Sequence, residues 1–130
     1  MPVLLDTHIL IWWQFDSSRL SRAQSHLLLN MEKSGEQPFL SAISLREIAS
    51  LLASSRVEIP IPGDIWLDEV ESEYIVLPIT AKIATESFRL GDGFPRDPAD
   101  QIIAATARCH GLSLMTSDDR IRRWGRVPVV

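Results

Sequence analysis

The sequence predicts an α/β protein, a three-layer α/β/α fold around a mainly parallel sheet. Three observations carry that expectation. Short apolar runs alternate with longer stretches of helical period. Turn formers such as Gly35, Pro60-Ile61-Pro62-Gly63 and Gly111 separate them. Strands that are separated by helices return through right-handed crossovers, which puts helices on both faces of the sheet. A length of 130 residues with 45% hydrophobic content is ordinary for one soluble domain with a real core. No repeat, low-complexity tract or linker divides it, so one domain over residues 1–130 is expected.

In order, residues 2–5 read as a short buried strand, followed by a short helix from His8 to Phe15 and a break at Asp16-Ser17-Ser18. Ser21 is placed to cap a helix that runs through Leu27-Leu28-Leu29 to about Lys33, with Gly35 at the C-terminal cap. Pro38 to Ala42 is the second strand. Ser44 to about Ser55 forms a helix with Leu45, Ile48, Leu51 and Leu52 on one face. Asp64 to Glu73 is a helix with Ile65, Trp66, Leu67 and Val70 inward, and Tyr74 to Pro78 is the third strand. Thr80 to Leu90 is helical, and Gly91 to Arg96 is an exposed loop. A helix from Pro98 to about His110 stops at Gly111. Leu112 to Met115 is the fourth strand, Asp119 to Trp124 a helical turn, and Val127 to Val130 a terminal strand.

Composition excludes several classes. The single Cys109 allows neither an intramolecular disulfide nor a cysteine zinc cluster, which suits a reducing cytosol. Asp6 and His8 interrupt the N-terminal apolar run too early for a signal peptide. No apolar run approaches the roughly 20 residues that span a bilayer. A cytoplasmic protein with no membrane partner is therefore expected. A net charge of −4 argues against a passive nucleic-acid coat. Eleven of the thirteen basic residues are Arg, a bias that phosphate binding and a GC-rich genome both explain.

The acids fall where strands hand over to helices: Asp6 after Val3-Leu4-Leu5, Glu47 beyond Phe39-Leu40, Asp118 beyond Leu114-Met115, and Asp97 and Asp100 at a helix start. In a parallel sheet those junctions share one edge, the edge where open α/β folds bind ligands. Capping explains some of these acids singly. Ser44-Leu45-Arg46-Glu47 has capping-box spacing, Asp97 is a natural N-cap before Pro98, and Asp118 fits a cap for the last helix. Asp6 differs, because it ends a strand expected at the sheet centre while Thr7 is available as a local cap. Burying an ionised carboxylate without partners costs several kcal/mol. Oxygen-only donors at such a place suit a hard divalent cation, and no His or Cys spacing suits zinc.

The motifs in order are Asp6-Thr7-His8, Ser44-Leu45-Arg46-Glu47-Ile48, Asp97-Pro98-Ala99-Asp100 running on to Ala107, and Leu114-Met115-Thr116-Ser117-Asp118. Together they resemble the PIN-domain ribonucleases of the VapC toxin type, from Asp6 to the terminal valines. The resemblance implies a catalytic, metal-holding quartet of Asp6, Glu47, Asp100 and Asp118, with Asp6 and Asp100 most directly on the metal. It implies a supporting hydroxyl at Thr116, and Asp97 as a helper or cap. Asp119 lies one residue past the matching position. Gln101 stands where many relatives carry Arg, which removes a local salt bridge but not the site. The resemblance further implies Mg²⁺ or Mn²⁺ as cofactor, RNA as substrate, a small antitoxin lying across the acidic groove, and homodimers of the toxin.

Other readings stay open at this stage. A dehalogenase-type phosphatase wants a second Asp two residues after Asp6, where His8 stands, and a receiver domain wants a late strand-end Lys that is missing. A non-catalytic PIN-like binding module gains nothing from crowded acids, and a DNA-directed nuclease fits a metal site that reads phosphates. Cys109 and His110 are adjacent, so on a helix they diverge and form no dyad. His8 either touches substrate or merely opens a helix. Trp12, Trp13 and Phe15 form an aromatic cluster whose default role is core packing. Arg46, Arg89, Arg96, Arg120, Arg122, Arg123 and Arg126 are the candidates to steer a phosphate backbone.

Overall fold

A sheet of four parallel strands forms the middle layer of the computed structural model, which describes residues 2–130. The strands are β1 (Val3–Leu5), β2 (Phe39–Ser41), β3 (Ile75–Leu77) and β4 (Ser113–Met115), in spatial order β3-β2-β1-β4. β1 pairs with β2 through Leu4↔Phe39 and with β4 through Leu4↔Leu114, so the first strand is interior. The chain moves outward from β1 to β2 and β3 on one side, then returns to place β4 on the other. That reversal makes the C-terminal ends of β1 and β4 a switch point, where neighbouring connections diverge and leave a crevice.

The helices are α1 (Thr7–Phe15), α2 (Arg22–Ser34), α3 (Ala42–Ala53), α4 (Gly63–Glu73), α5 (Ala81–Glu86), α6 (Pro98–His110) and α7 (Asp119–Trp124), with a 3₁₀ turn at Ser17–Arg19. Successive strand side chains point to opposite faces, and β1 shows the result. Val3 and Leu5 join Ile9, Leu10, Leu40, Ile48 and Trp66 in one core. Leu4 joins Leu114, Ile103, Ala104, Ala107 and Ile121 in the other. Both faces of the sheet are therefore covered, and the three-layer expectation is met.

Most elements fall as expected. Ser21 and Gln24 form a full capping box on α2, and Gly35 and Gly111 end α2 and α6 with φ of 74° and 64°, where a side chain would be strained. Several expectations are corrected. α3 starts at Ala42, capped by Ser41 through Ile43 N–H, so Ser44 and Glu47 make no capping box. Ile65 is half exposed, whereas Trp66 and Val70 are buried, because only one stripe of α4 meets the sheet. α5 ends at Glu86 rather than Leu90. Within the 91–96 loop Phe94 is buried, held edge-on against Trp124 at 4.9 Å between centroids.

The Val127–Val130 strand shrinks to a single bridge between Val129 and Leu114. Pro128 has no N–H to donate, although its carbonyl accepts from Leu114 N–H and Val130 N–H reaches the Leu114 carbonyl. Among the described residues no helix is long and apolar enough to cross a membrane.

Candidate active site

Asp6 follows β1 directly and is 3% exposed. It caps α1 itself: Oδ1 accepts from Thr7 N–H at 2.9 Å, so Thr7 is not the cap. Oδ2 accepts from Thr116 Oγ1 at 2.8 Å, across the switch point from the end of β4. Thr116 in turn accepts from Asp118 N–H at 3.1 Å, which ties the β4 exit to the β1 exit. Released from capping, Thr7 meets Ser44 hydroxyl to hydroxyl at 2.9 Å, locking α1 to α3 one turn before Glu47.

Glu47, Asp97 and Asp100 gather most closely, each offering a carboxylate oxygen within 4.8 Å of the others. Asp97 caps α6 by accepting from Ala99 and Asp100 N–H through Oδ1. Asp100, in the first turn of α6, projects toward the crevice beside Asp6. A groove of about 350 Å³ is lined by Asp6, Glu47 and Asp100 together with His8, Trp12 and Arg19. Asp118 sits at the rim as the cap of α7, accepting from Arg120 N–H at 2.9 Å. Arg120 folds back, with Nη2 2.9 Å from Asp118 Oδ2 and 4.0 Å from Asp100 Oδ2.

The electrostatics follow from this crowding. Burial first, then repulsion from Asp6, Asp97, Glu47 and Asp118, pushes Asp100 up to about 7. Burial also raises Glu47, with a hydrogen bond from Thr7 opposing and Asp6 and Asp97 adding to the rise. Asp118 is held below the usual carboxylate range, chiefly by the Arg120 guanidinium. Burial lowers His8 against the pull of Asp6 and Asp118. Its Nε2 accepts from Ser117 N–H at 2.9 Å, which leaves the ring proton on Nδ1, 3.6 Å from Asp6 Oδ2.

The structure thus brings Asp6, Glu47, Asp97 and Asp100 to one crevice, with Thr116 beneath Asp6 and Asp118 joined to the group through Arg120. Asp97 stands closer to the centre than the sequence suggested, since one of its oxygens lies within 4.8 Å of those of Glu47 and Asp100. Sequence reasoning missed Gln24, a fully buried amide on α2 that donates to the Thr116 and Val130 carbonyls. Its capping-box partner Ser21 was visible; its reach to β4 was not. Arg120 was one of seven candidate arginines and had nothing to single it out. As donors the acids are all oxygen, mutually repelling and partly desolvated, which fits a hard divalent cation and no thiophilic one.

A parallel β3-β2-β1-β4 sheet between helical layers, with acids converging on its switch point, defines an α/β class of fold whose candidate site is made of carboxylates. The sequence profile of the PIN domain family matches residues 3–127, and this chain belongs to that family. Ribonuclease VapC22 of Mycobacterium tuberculosis is 37% identical over 120 residues, covering 92% of this chain and 89% of that protein. Among solved structures, VapBC2 from Rickettsia felis bound to a DNA fragment from its promoter contains a chain that superposes with a TM-score of 0.74. That chain is 18% identical, with 100% of this chain and 98% of the other covered. A toxin–antitoxin complex from Klebsiella pneumoniae superposes with a TM-score of 0.65 at 25% identity, over 98% of this chain and 95% of the other.

Proposed function

We propose that this chain is an endoribonuclease that uses Mg²⁺ or Mn²⁺ to hydrolyse RNA phosphodiester bonds, and the toxin of a toxin–antitoxin pair. The observation that carries the reading is the oxygen-only cluster at the switch point, where Asp100 is held near neutrality by burial and surrounding acids. A site that resists its own ionisation is relieved by a divalent cation. Asp6, Glu47, Asp100 and Asp118 are the residues assigned to hold it, with Asp97 able to lend an oxygen. When bound, such an ion lowers the pKa of a coordinated water and offsets charge on the scissile phosphate.

The chain's own groups set the frame for that chemistry. Thr116 fixes the Asp6 carboxylate, and Thr7 and Ser44 fix the helix that carries Glu47. With a cation bound, one of the carboxylates Glu47 and Asp100 would accept the proton of the attacking water. The relatives extend the reading to partners. A small antitoxin with a basic side chain would satisfy the acids as Arg120 partly does here, and a homodimer is the expected toxin assembly.

The test compares wild type with Asp6→Asn and Asp100→Asn on structured RNA and on single-stranded DNA of the same sequence, with Mg²⁺, Mn²⁺ or chelator. Metal-dependent RNA cleavage lost in both variants is the expected result. Cleavage that neither substitution nor chelator diminishes rejects the assignment. Growth arrest on expression, relieved by a co-expressed small protein encoded beside it, tests the toxin role separately.

A further inference from the structure

A nuclease whose cutting site is ringed by acids repels its substrate everywhere except at the metal, so a strand must be held by cations nearby. The structure decides which arginines are free for that task. Arg108 is spent on Glu86 Oε1 at 3.0 Å and the Arg126 carbonyl. Arg122 is spent on the carbonyls of Thr116 and Val130. Arg19 is stacked over the Trp12 ring at 4.3 Å and lines the acid groove itself, where it faces the cleaved phosphate rather than its neighbour. Two hollows near the acids carry further arginines: one of about 340 Å³ sets Arg46 and Arg56 against Glu47 and Asp97 themselves, and one of about 410 Å³ is lined by Arg120, Arg123, Arg126, Phe94 and Trp124 with no acid in its wall.

Arg120, Arg123 and Trp124 stand at i, i+3 and i+4 on α7 and so share a face. Arg123 is exposed, and its side chain makes no hydrogen bond or ion pair among the described residues. Among the described residues the Arg126 guanidinium reaches the Leu90 carbonyl alone, at 3.5 Å. The floor beneath them is rigid, because Trp124 Nε1 donates to Leu90 at 2.8 Å and Phe94 packs against the indole. Arg120 belongs to both places: it lines this hollow and touches Asp118 and Asp100. One side chain therefore separates the acid cluster from a concentration of positive charge.

Resting on the nuclease reading above, we infer that this hollow, with Arg123 and Arg126 as its free cations and the Asp118-bound Arg120 at its edge, is the subsite for the RNA phosphate neighbouring the cleaved one. Guanidinium forks suit a phosphate's paired oxygens. The contact is sequence-independent, so it supplies affinity and register while leaving base choice to other groups.

The experiment measures binding of a single-stranded RNA oligonucleotide by fluorescence anisotropy across a salt series, in an Asp100→Asn background that does not cut. Steady-state cleavage is followed in the otherwise wild-type chain. For a single strand, each lost phosphate contact lowers the salt slope by about 0.7, or about fivefold in affinity at 0.1 M salt. Arg123→Ala should show one such step and Arg123→Ala with Arg126→Ala two, about 25-fold, appearing in KM far more than in kcat. Arg123→Glu should exceed the alanine effect. Arg22→Ala, on an exposed part of α2, should leave both readouts unmoved.

Wild-type affinity and salt slope in the double variant, while wild type cuts RNA, overturn the subsite alone. The subsite also falls if the substitutions weaken only capture of a co-expressed antitoxin. A wild-type protein that neither binds nor cuts RNA overturns the nuclease reading and the subsite together.

Discussion

Replacing Asp100 by Asn should make the metal-free protein more stable while destroying its response to metal. Asp100 rises from the usual 3.8 to about 7, so above neutral pH the folded state carries an ionised group that it holds reluctantly. The gap corresponds to about 4 kcal/mol when fully expressed. Side-chain relaxation and bound counter-ions should leave about half, and about 2 kcal/mol in a chain of this size is roughly 6–10 °C in Tm. Asn keeps the shape and forfeits only the Arg120 contact at 4.0 Å, a solvent-facing pair that contributes little. The folded state binds the Asp100 proton more tightly than the unfolded state, so wild-type stability falls as pH rises from about 4 to about 7. The variant's advantage should therefore be near zero at pH 4, grow through that window and stay level above it. Thermal melts in chelator at several pH values measure this directly. Saturating Mg²⁺ should reverse the order, since ligand at a hundredfold excess over Kd adds about 2.7 kcal/mol to wild type only. An Asn variant that melts at or below wild type in chelator at pH 8 would show that Asp100 is not under electrostatic load.

Three further outcomes are expected. Thr116→Val removes the hydroxyl that bonds Asp6 Oδ2 and accepts from Asp118 N–H; stability should fall by about 1–3 kcal/mol and Mg²⁺ affinity by about 10–100-fold in calorimetric titration. Metal binding at pH 7 should release roughly half a proton from Asp100, seen as a binding enthalpy that varies with buffer ionisation, and the release should fade by pH 8.5. Arg122→Ala removes one donor from each of the Thr116 and Val130 carbonyls and leaves Gln24 as the other, so amide exchange at Leu114, Thr116 and Val130 should quicken, with about 0.5–1.5 kcal/mol lost in denaturant melts.

The elements with strong local signals were readable from the sequence alone. The β1 run, the Ser21 cap, the Gly35 and Gly111 stops and the Asp97-Pro98 helix start all depend on chemistry within a few residues, and all stand where expected. The failures share a different cause. Ser44-x-x-Glu47 has the spacing of a capping box, yet Ser41 takes the cap because β2 ends earlier against β3, with Ser41 opposite Leu77. Ile65 has helical period but lies outside the stripe that meets the sheet, and periodicity alone does not fix how wide that stripe is. For the site, the acids were visible as residues at junctions, while their grouping depended on strand order. The closeness of Asp97 to Glu47, the reach of Gln24 to β4 and the fold-back of Arg120 are contacts between distant segments that no local pattern encodes.

Capping and metal binding first look like rival explanations of these acids, and the structure divides the work between oxygens instead. Asp6 spends Oδ1 on Thr7 N–H and Oδ2 on Thr116, so its position is fixed before any ligand arrives. Asp97 spends Oδ1 on the start of α6, and Asp118 spends both oxygens on Arg120. Glu47 and Asp100 do no comparable structural work. Among the described residues Glu47 is steadied through Thr7, and Asp100 meets the Arg120 guanidinium at 4.0 Å. Burial and neighbouring acids raise the pKa of both. A fold gains nothing from burying two acids it does not use, since apolar residues of similar volume would pack there at no electrostatic cost. The strain is concentrated where a cation would relieve it, while the neighbouring acids hold the frame rigid around that point. Arg120, anchored to Asp118 and reaching toward Asp100, supplies part of the missing charge from within the chain. A cation entering the crevice therefore meets a site already shaped, and its competitor for Asp100 is a single exposed side chain rather than a rearrangement of the fold.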